Sequence, residues 1–263
     1  MRYFLLPLLL LSSFWSKGQQ LLSEMPLRAA RAMSTDEIGN IYIVYEDNSL
    51  VQYNERGDSL TNFRNIQNGI LAHIDTRNPL KLLLFYPDFS KIIILDRMLS
   101  LKNEIDLRQL NIYRVGAAGL AMDGNIWVYD LNNVQLLKID DNLNIVNKSD
   151  DLRSAIQSFP EPVSLEESDR KVYLLDTAKG IYVFDQFANF LNNIELFPIK
   201  QLQVYNSLLV YVSGDSLFNY NPVTAASQAL PLPKTDDFIS ARVDRGKLYL
   251  LSKNKLLIYN IAP

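Results

Sequence analysis

Apolar and polar positions alternate in short blocks from residue 20 to the end of the chain, and one block recurs six times. Each copy has a mostly small or charged first residue, four or five mainly apolar residues, and then Asp or Asn. The copies begin at residues 49, 91, 134, 180, 216 and 255, so successive starts lie 36 to 46 residues apart. Short blocks rich in β-branched and aromatic residues favour strands over helices. The pattern therefore predicts a repeated all-β unit of about 40 residues.

Three further strands accompany each copy. A second apolar strand comes just before it, for example at Asn40–Tyr45 and Lys247–Leu251, and polar turn residues separate the two. A shorter strand lies upstream, and a more polar strand lies downstream. Four strands per period, repeated radially, are typical of a propeller blade. We therefore predict a six-bladed β-propeller that forms a single domain over residues 19–263.

The last copy ends close to Pro263, so the sixth blade lacks an outer strand of its own. A spare strand is available in the segment Gln20–Leu27. Pairing this segment with the last blade would close the ring and remove an exposed sheet edge. We expect the N-terminal strand to close the last blade.

The first 18 residues have the features of a signal peptide. Arg2 precedes an apolar stretch over residues 3–15, and small residues lead to Gly18. A membrane-spanning helix needs about 20 apolar residues, more than this stretch contains. We predict cleavage after Gly18 and export to the periplasm. We expect the mature protein to be peripheral to the membrane and associated with the outer membrane.

Composition narrows the classes of function. The chain contains no cysteine, which excludes disulfide-linked partners and thiolate chemistry. The net charge is −3, and removal of Arg2 and Lys17 with the signal peptide would leave about −5. Nucleic-acid binding relies on clustered cationic contacts, so we expect no nucleic-acid partner.

The repeated blocks resemble the blades of NHL-like and quinoprotein-like propellers. The shared pattern is Gly, then a hydrophobic–aromatic–hydrophobic strand, a turn, and a hydrophobic strand ending in Asp or Asn, as in Gly180–Asp185. This resemblance implies the fold but not the function, because propellers include enzymes, lectins and scaffolds. The leucine-rich leader and the abundance of Asn, Tyr, Ile and Lys also resemble periplasmic proteins of the Bacteroidota.

No motif indicates a catalytic residue, a metal site or a cofactor. His73 is the only histidine, and its expected place is an inner strand. Acidic pairs, including Glu166–Glu167, lack the alternating spacing of a calcium loop and are interpreted as solvated turn residues. Aromatic residues within the strand register are interpreted as packing between blades.

Two sets of residues are candidates for binding. If their side chains point inward, polar residues on inner strands would line the central channel: Arg31, His73, Glu166, Gln203 and Arg242. Apolar residues near a hairpin tip and in the long connection 148–162, where a helical turn is expected, would bind a partner: Phe85, Tyr86, Phe89, Leu152, Ile156 and Phe159.

Three functions fit this description. We expect a non-catalytic accessory or scaffold subunit of an outer-membrane assembly for secretion, protein insertion or lipopolysaccharide transport. The first alternative is a propeller that binds a small ligand or glycan at the channel mouth. The second is a propeller hydrolase or lyase, which would need carboxylates or a metal clustered on one face.

Overall fold

A computed structural model describes residues 19–156 and 159–261 of the protein. The predicted signal peptide, residues 1–18, lies outside the described residues. The described chain contains 24 strands and three short 3-10 helices, Pro87–Phe89, Leu107–Leu110 and Leu152–Ser154.

The strands form six antiparallel four-stranded sheets, and the prediction of a six-bladed β-propeller is confirmed. Blade 1 contains β2 (Ala30–Thr35), β3 (Ile41–Tyr45), β4 (Ser49–Tyr53) and β5 (Ser59–Arg64). Blade 2 contains β6 (His73–Asp75), β7 (Leu82–Tyr86), β8 (Lys91–Leu95) and β9 (Leu101–Asp106). Blade 3 contains β10 (Val115–Leu120), β11 (Ile126–Asp130), β12 (Gln135–Ile139) and β13 (Ile145–Lys148). Blade 4 contains β14 (Ser164–Ser168), β15 (Lys171–Asp176), β16 (Gly180–Asp185) and β17 (Phe190–Ile194). Blade 5 contains β18 (Leu202–Tyr205), β19 (Leu208–Ser213), β20 (Ser216–Tyr220) and β21 (Ser227–Pro231).

Blade 6 combines both ends of the described chain. It contains β22 (Phe238–Asp244), β23 (Lys247–Ser252) and β24 (Lys255–Asn260), and its outer strand is β1 (Gln20–Pro26). β1 runs antiparallel to β24, with Gln20 opposite Asn260 and Pro26 opposite Lys255. The predicted closure of the last blade is confirmed.

The hydrophobic core lies between neighbouring blades. Six clusters of buried apolar residues each join two adjacent blades, including the last and the first. Side chains on a strand alternate between the two faces of its sheet. Phe85 accordingly packs towards blade 3 while Tyr86 packs towards blade 1. Aromatic residues in the strand register, such as Trp127, are fully buried in these interfaces.

The Asp or Asn that ends the repeated block shapes the turn to the outer strand. Asp96 Oδ1 accepts hydrogen bonds from the backbone N–H groups of Met98 and Ser100. Asp140 and Asp185 accept the equivalent pairs of bonds in their own blades. A short side-chain acceptor at this position replaces backbone pairing inside a tight turn. This bonding explains why Asp or Asn recurs at the end of the first five blocks, each of which is followed by a turn to its outer strand.

Antiparallel connectivity gives the ring two distinct ends. All six inner strands, β2, β6, β10, β14, β18 and β22, begin at one end and finish at the other. The connections between blades and the turns between second and third strands lie at the starting end, which we call the mouth face. The two remaining kinds of turn lie at the opposite end, which we call the floor face.

Candidate functional site

A single position on the inner strands carries polar side chains around most of the ring. In blades 1 to 3 this residue pairs with the second residue of the neighbouring strand. In blades 4 to 6 it pairs with the third residue of the neighbouring strand. From blade 1 to blade 6 its occupants are Ser34, Asp75, Gly119, Glu166, Gln203 and Arg242.

Most of these side chains bond to the next blade. Gln203 donates from Nε2 to the carbonyl of Val243 at 2.7 Å, and its Oε1 accepts from the Val243 N–H at 2.9 Å. Glu166 Oε2 accepts from the N–H of Val204 at 2.7 Å. Ser34 Oγ lies 2.9 Å from Thr76 Oγ1 in blade 2. Inner strands of different blades do not pair directly, so Glu166 and Gln203 satisfy backbone groups that would otherwise be buried without a partner.

Gly119 is the exception, and its surroundings explain why. A Cβ atom placed there would lie 2.7 Å from the carbonyl oxygen of Leu165 on the next inner strand. The close approach of blades 3 and 4 leaves no space for a side chain. The neighbouring Leu120 N–H still follows the common pattern, because Asp75 Oδ2 of blade 2 accepts from it at 2.9 Å.

Arg77 closes the channel near the floor face. Its guanidinium binds Asp75 through Nε at 2.9 Å and Nη2 at 2.6 Å. The same group donates to the carbonyl of Leu120 in blade 3 and to the carbonyl of Glu167 in blade 4. One side chain thereby joins three blades across the channel.

The buried ion pair is reflected in its protonation. Burial acts to raise the pKa of Asp75, but the charge and hydrogen bonds of Arg77 outweigh it and lower that pKa to about 2. Burial lowers the pKa of His73 to about 4. The charge of Asp75 acts to raise this pKa and the charge of Arg77 to lower it, but both effects are smaller than that of burial. The His73 ring is therefore neutral at pH 7.

Two adjacent glutamates face opposite sides of β14. Glu167 Oε2 accepts from Trp127 Nε1 at 2.7 Å and from the Met122 N–H at 3.0 Å, which ties blade 4 to blade 3. Glu166 faces the channel, where burial raises its pKa despite the opposing charges of Arg77 and Arg242. Both residues are buried, so their interpretation as solvated turn residues was wrong.

A cavity of about 250 Å³ opens where the inner strands begin, on the mouth side of this network. Its polar lining includes His73, Glu166, Gln203, Ser240 and Arg242. Its apolar lining comes from Ala32, Met33, Ile74, Val163, Leu202 and Tyr211.

Four of the five predicted channel residues thus share one cavity, and Arg31 does not line it. Arg31 lies at a β-bulge, where the register of β2 against β3 shifts between Ala30 and Ala32. A bulge re-aims a side chain relative to regular alternation. The Arg31 guanidinium instead donates to the carbonyl of Leu71 at 2.7 Å, in the connection to blade 2.

Two cavity groups have no bonding partner within the described chain. Arg242 forms neither an ion pair nor a hydrogen bond with any other described residue, and its Nε atom is buried. Ser240, two residues earlier on β22, is buried with its Oγ unbonded. Groups of this kind are uncommon in proteins because removing them from water is costly.

Three of the six predicted partner-binding residues are unavailable to a partner. Phe85 and Tyr86 still belong to β7 and are buried in the blade interfaces rather than at a hairpin tip. The helical turn expected in this connection is the short 3-10 helix Leu152–Ser154, in which Leu152 is buried, and Ile156 packs partly against the same cluster. Phe89 and Phe159 are exposed.

Eight large apolar side chains are exposed on the mouth face, and five of them are aromatic. They lie in connections between blades, at the start of inner strands or in the η-helical turn of blade 2: Ile66, Ile70, Phe89, Tyr113, Phe159, Val163, Phe197 and Phe238. The floor face also has exposed apolar residues, but Phe187 is the one aromatic among those described: Ile38, Leu80, Met98, Met122, Phe187 and Val223. Leu21, Leu22 and several others lie on outer strands.

The described chain shows no grouping of three or more His, Cys, Asp or Glu residues suited to a metal ion. None of its helices is long and apolar enough to cross a membrane.

Comparisons with known proteins identify the fold. No protein-family profile matches the chain, and no curated protein matches it in sequence. Among solved structures, a virginiamycin B lyase from Staphylococcus aureus is similar, with a TM-score of 0.68 and 11% identity over 93% of this chain and 100% of that one. A streptogramin B lyase has a TM-score of 0.60 and 12% identity over 94% of this chain and 87% of that one. The Pan2 WD40 domain of Neurospora crassa has a TM-score of 0.57 and 12% identity, covering 90% of each chain. At this identity the likeness extends to the propeller fold alone.

Proposed function

We propose that the protein is a non-catalytic binding module that attaches to an outer-membrane assembly through the mouth face of its propeller. The observation that carries the proposal is the set of five exposed aromatic residues on that face. Aromatic side chains are enriched where proteins bind one another. Five exposed aromatic residues on the mouth face, against one on the floor face among the described residues, favour the mouth face as the interaction site.

The choice of partner rests on the export signal predicted from the sequence. A module exported to the periplasm that exposes aromatic residues on one end of a rigid ring suits attachment to a larger assembly. The likeness of the leader and composition to periplasmic proteins of the Bacteroidota supports the same compartment.

Site-specific photo-crosslinking tests the proposal. A photoreactive phenylalanine analogue would replace Phe89, Phe159 or Phe238 on the mouth face, one at a time, in cells that produce the full chain. Phe187 on the floor face is the matched control, because it is aromatic, similarly placed in a loop and 58% exposed. We expect the mouth-face positions to crosslink to one outer-membrane protein, identified by mass spectrometry, and position 187 to give none of that product. Equal crosslinking from both faces, or none from the mouth face, would contradict the proposal.

A further inference from the structure

The unpartnered guanidinium of Arg242 raises a question that the mouth-face partner does not answer. Arg242 lies in the channel wall with its Nε buried and unbonded. The carboxylates of Glu166 and Asp244 interact with it through space, since its charge lowers the pKa of each against the larger effect of burial. Neither forms an ion pair with it, and Glu166 Oε2 is already bonded to Val204. The channel thus holds a cation whose hydrogen-bond donors are unused by the described residues.

The geometry points to a binding site for a carboxylate group, with Arg242 as the principal donor and Ser240 as the second. A planar guanidinium matches a carboxylate through two parallel hydrogen bonds. Ser240 Oγ is buried, unbonded and part of the same cavity wall, so it supplies a further donor. This inference rests on the cavity alone and does not depend on the mouth-face proposal.

Charge and size define the ligand further. The cavity lining carries two cations, Arg242 and Lys200, and one carboxylate, Glu166. A singly charged carboxylate would balance these charges, whereas a doubly charged phosphate would exceed them. The volume of about 250 Å³ is below the range of about 300–1,000 Å³ for drug-sized ligands. Apolar residues such as Met33 and Ile74 complete the lining. The group therefore belongs to a small organic acid or to the C-terminal residue of a polypeptide.

Calorimetric titration with two acids and their amides tests the site. Butyrate represents a free acid, and N-acetyl-Gly-Ala-Phe with a free C-terminus represents a chain end; butyramide and the amidated peptide are their neutral controls. We expect at least one acid to bind, with its amide at least about tenfold weaker. Binding of butyrate identifies a free acid as the source, and binding of the peptide acid without butyrate identifies a chain end.

Substitutions of the cavity residues should change the affinity for the acid in opposite directions, which a folding defect would not do. Arg242→Met should abolish binding while the melting temperature stays about the same, because Arg242 forms no hydrogen bond or ion pair within the described chain that would be lost. Arg242→Lys keeps the charge but loses the paired donors, and should weaken binding about tenfold. Ser240→Ala should weaken binding less, and Glu166→Gln should strengthen binding by removing the opposing charge.

Four results would each overturn the assignment: equal affinity for acid and amide, no binding of either acid, unchanged affinity in Arg242→Met, or weaker binding in Glu166→Gln. The mouth-face crosslinks do not involve Arg242, so the two proposals fail separately.

Discussion

An Asp followed two residues later by Arg occurs at three places, and its surroundings decide what the pair contributes. Asp75–Arg77 is buried in the channel and joins three blades. Asp106–Arg108 and Asp151–Arg153 form similar local pairs on the mouth side, where they are open to solvent. Exposed ion pairs contribute about 0–1 kcal/mol, whereas removing one partner of a buried pair costs about 3–5 kcal/mol. The same short motif therefore has a structural role at one site and almost none at the others.

We predict that Arg77→Met lowers the free energy of unfolding by about 3–5 kcal/mol, because Asp75 would be left as a buried charge without its partner. Arg153→Met is the matched control, since Arg153 and Asp151 are 43% and 50% exposed, and it should cost less than about 1 kcal/mol. Urea denaturation of both variants measures the difference. Equal losses would show that the channel pair has no special structural role.

At the scale of elements, β1 joins the ends of the described chain but buries little of itself. Met25 is its one buried residue, and it packs in the interface between blades 6 and 1. The rest of the strand holds its place through backbone pairing with β24. Attachment of β1 to blade 6 therefore depends on edge pairing plus one buried apolar side chain.

We predict that Met25→Ala lowers the free energy of unfolding by about 2–5 kcal/mol, as is usual for a buried large-to-small substitution. Leu22→Ala, in the same strand but half exposed, should change it by less than about 0.5 kcal/mol. Deletion of residues 20–26 should lower the melting temperature more than either substitution. Thermal unfolding followed by circular dichroism provides the measurement, and an unchanged melting temperature in the deletion would contradict the role of β1 in closure.

At the scale of the whole molecule, the channel makes stability depend on pH. The pKa of Asp75 lies at about 2, below its ordinary 3.8, so its contribution is present above pH 3.8 and is lost as pH falls towards 2. The pKa of His73 lies at about 4, below its ordinary 6.5. Protons therefore favour the unfolded chain, and stability is lost as pH falls from 6.5 to 4. Glu166 acts in the opposite direction, because its pKa is raised and its ionisation as pH rises opposes folding.

We predict a loss of about 3 kcal/mol from His73 alone between pH 7 and pH 4, since a tenfold change in proton affinity corresponds to about 1.4 kcal/mol. His73→Asn should reduce the slope between pH 6.5 and 5, because the histidine of the unfolded chain takes up its proton there, while Glu166 contributes equally in both proteins. Urea denaturation at several pH values compares the two proteins. The single histidine also allows a direct titration by NMR, and a midpoint near 6.5 would show that its ring is open to water.

The fold was predictable because its signals are local, whereas the site depends on how the blades meet. Repeated apolar blocks with terminal Asp or Asn predict strands and turns, and the spare strand at residue 20 predicts closure. The sequence does not distinguish the last buried residues of β7 from a hairpin tip, so Phe85 and Tyr86 were wrongly placed. It also gives no sign of the bulge at Arg31. Arg77 was missed because it follows the inner strand, and only the ring brings it to Leu120 and Glu167.

The pairing of β1 with β24 also sets an order of events during synthesis. β1 is made long before its partner β24, because five whole blades lie between them in the sequence. Contacts between such distant segments form slowly, and both edges stay open until they do. Because β22 and β2 stand on either side of this junction and both contribute to the cavity around Arg242, that cavity is incomplete until the ring closes. Ligand recognition is thereby reserved for the closed ring.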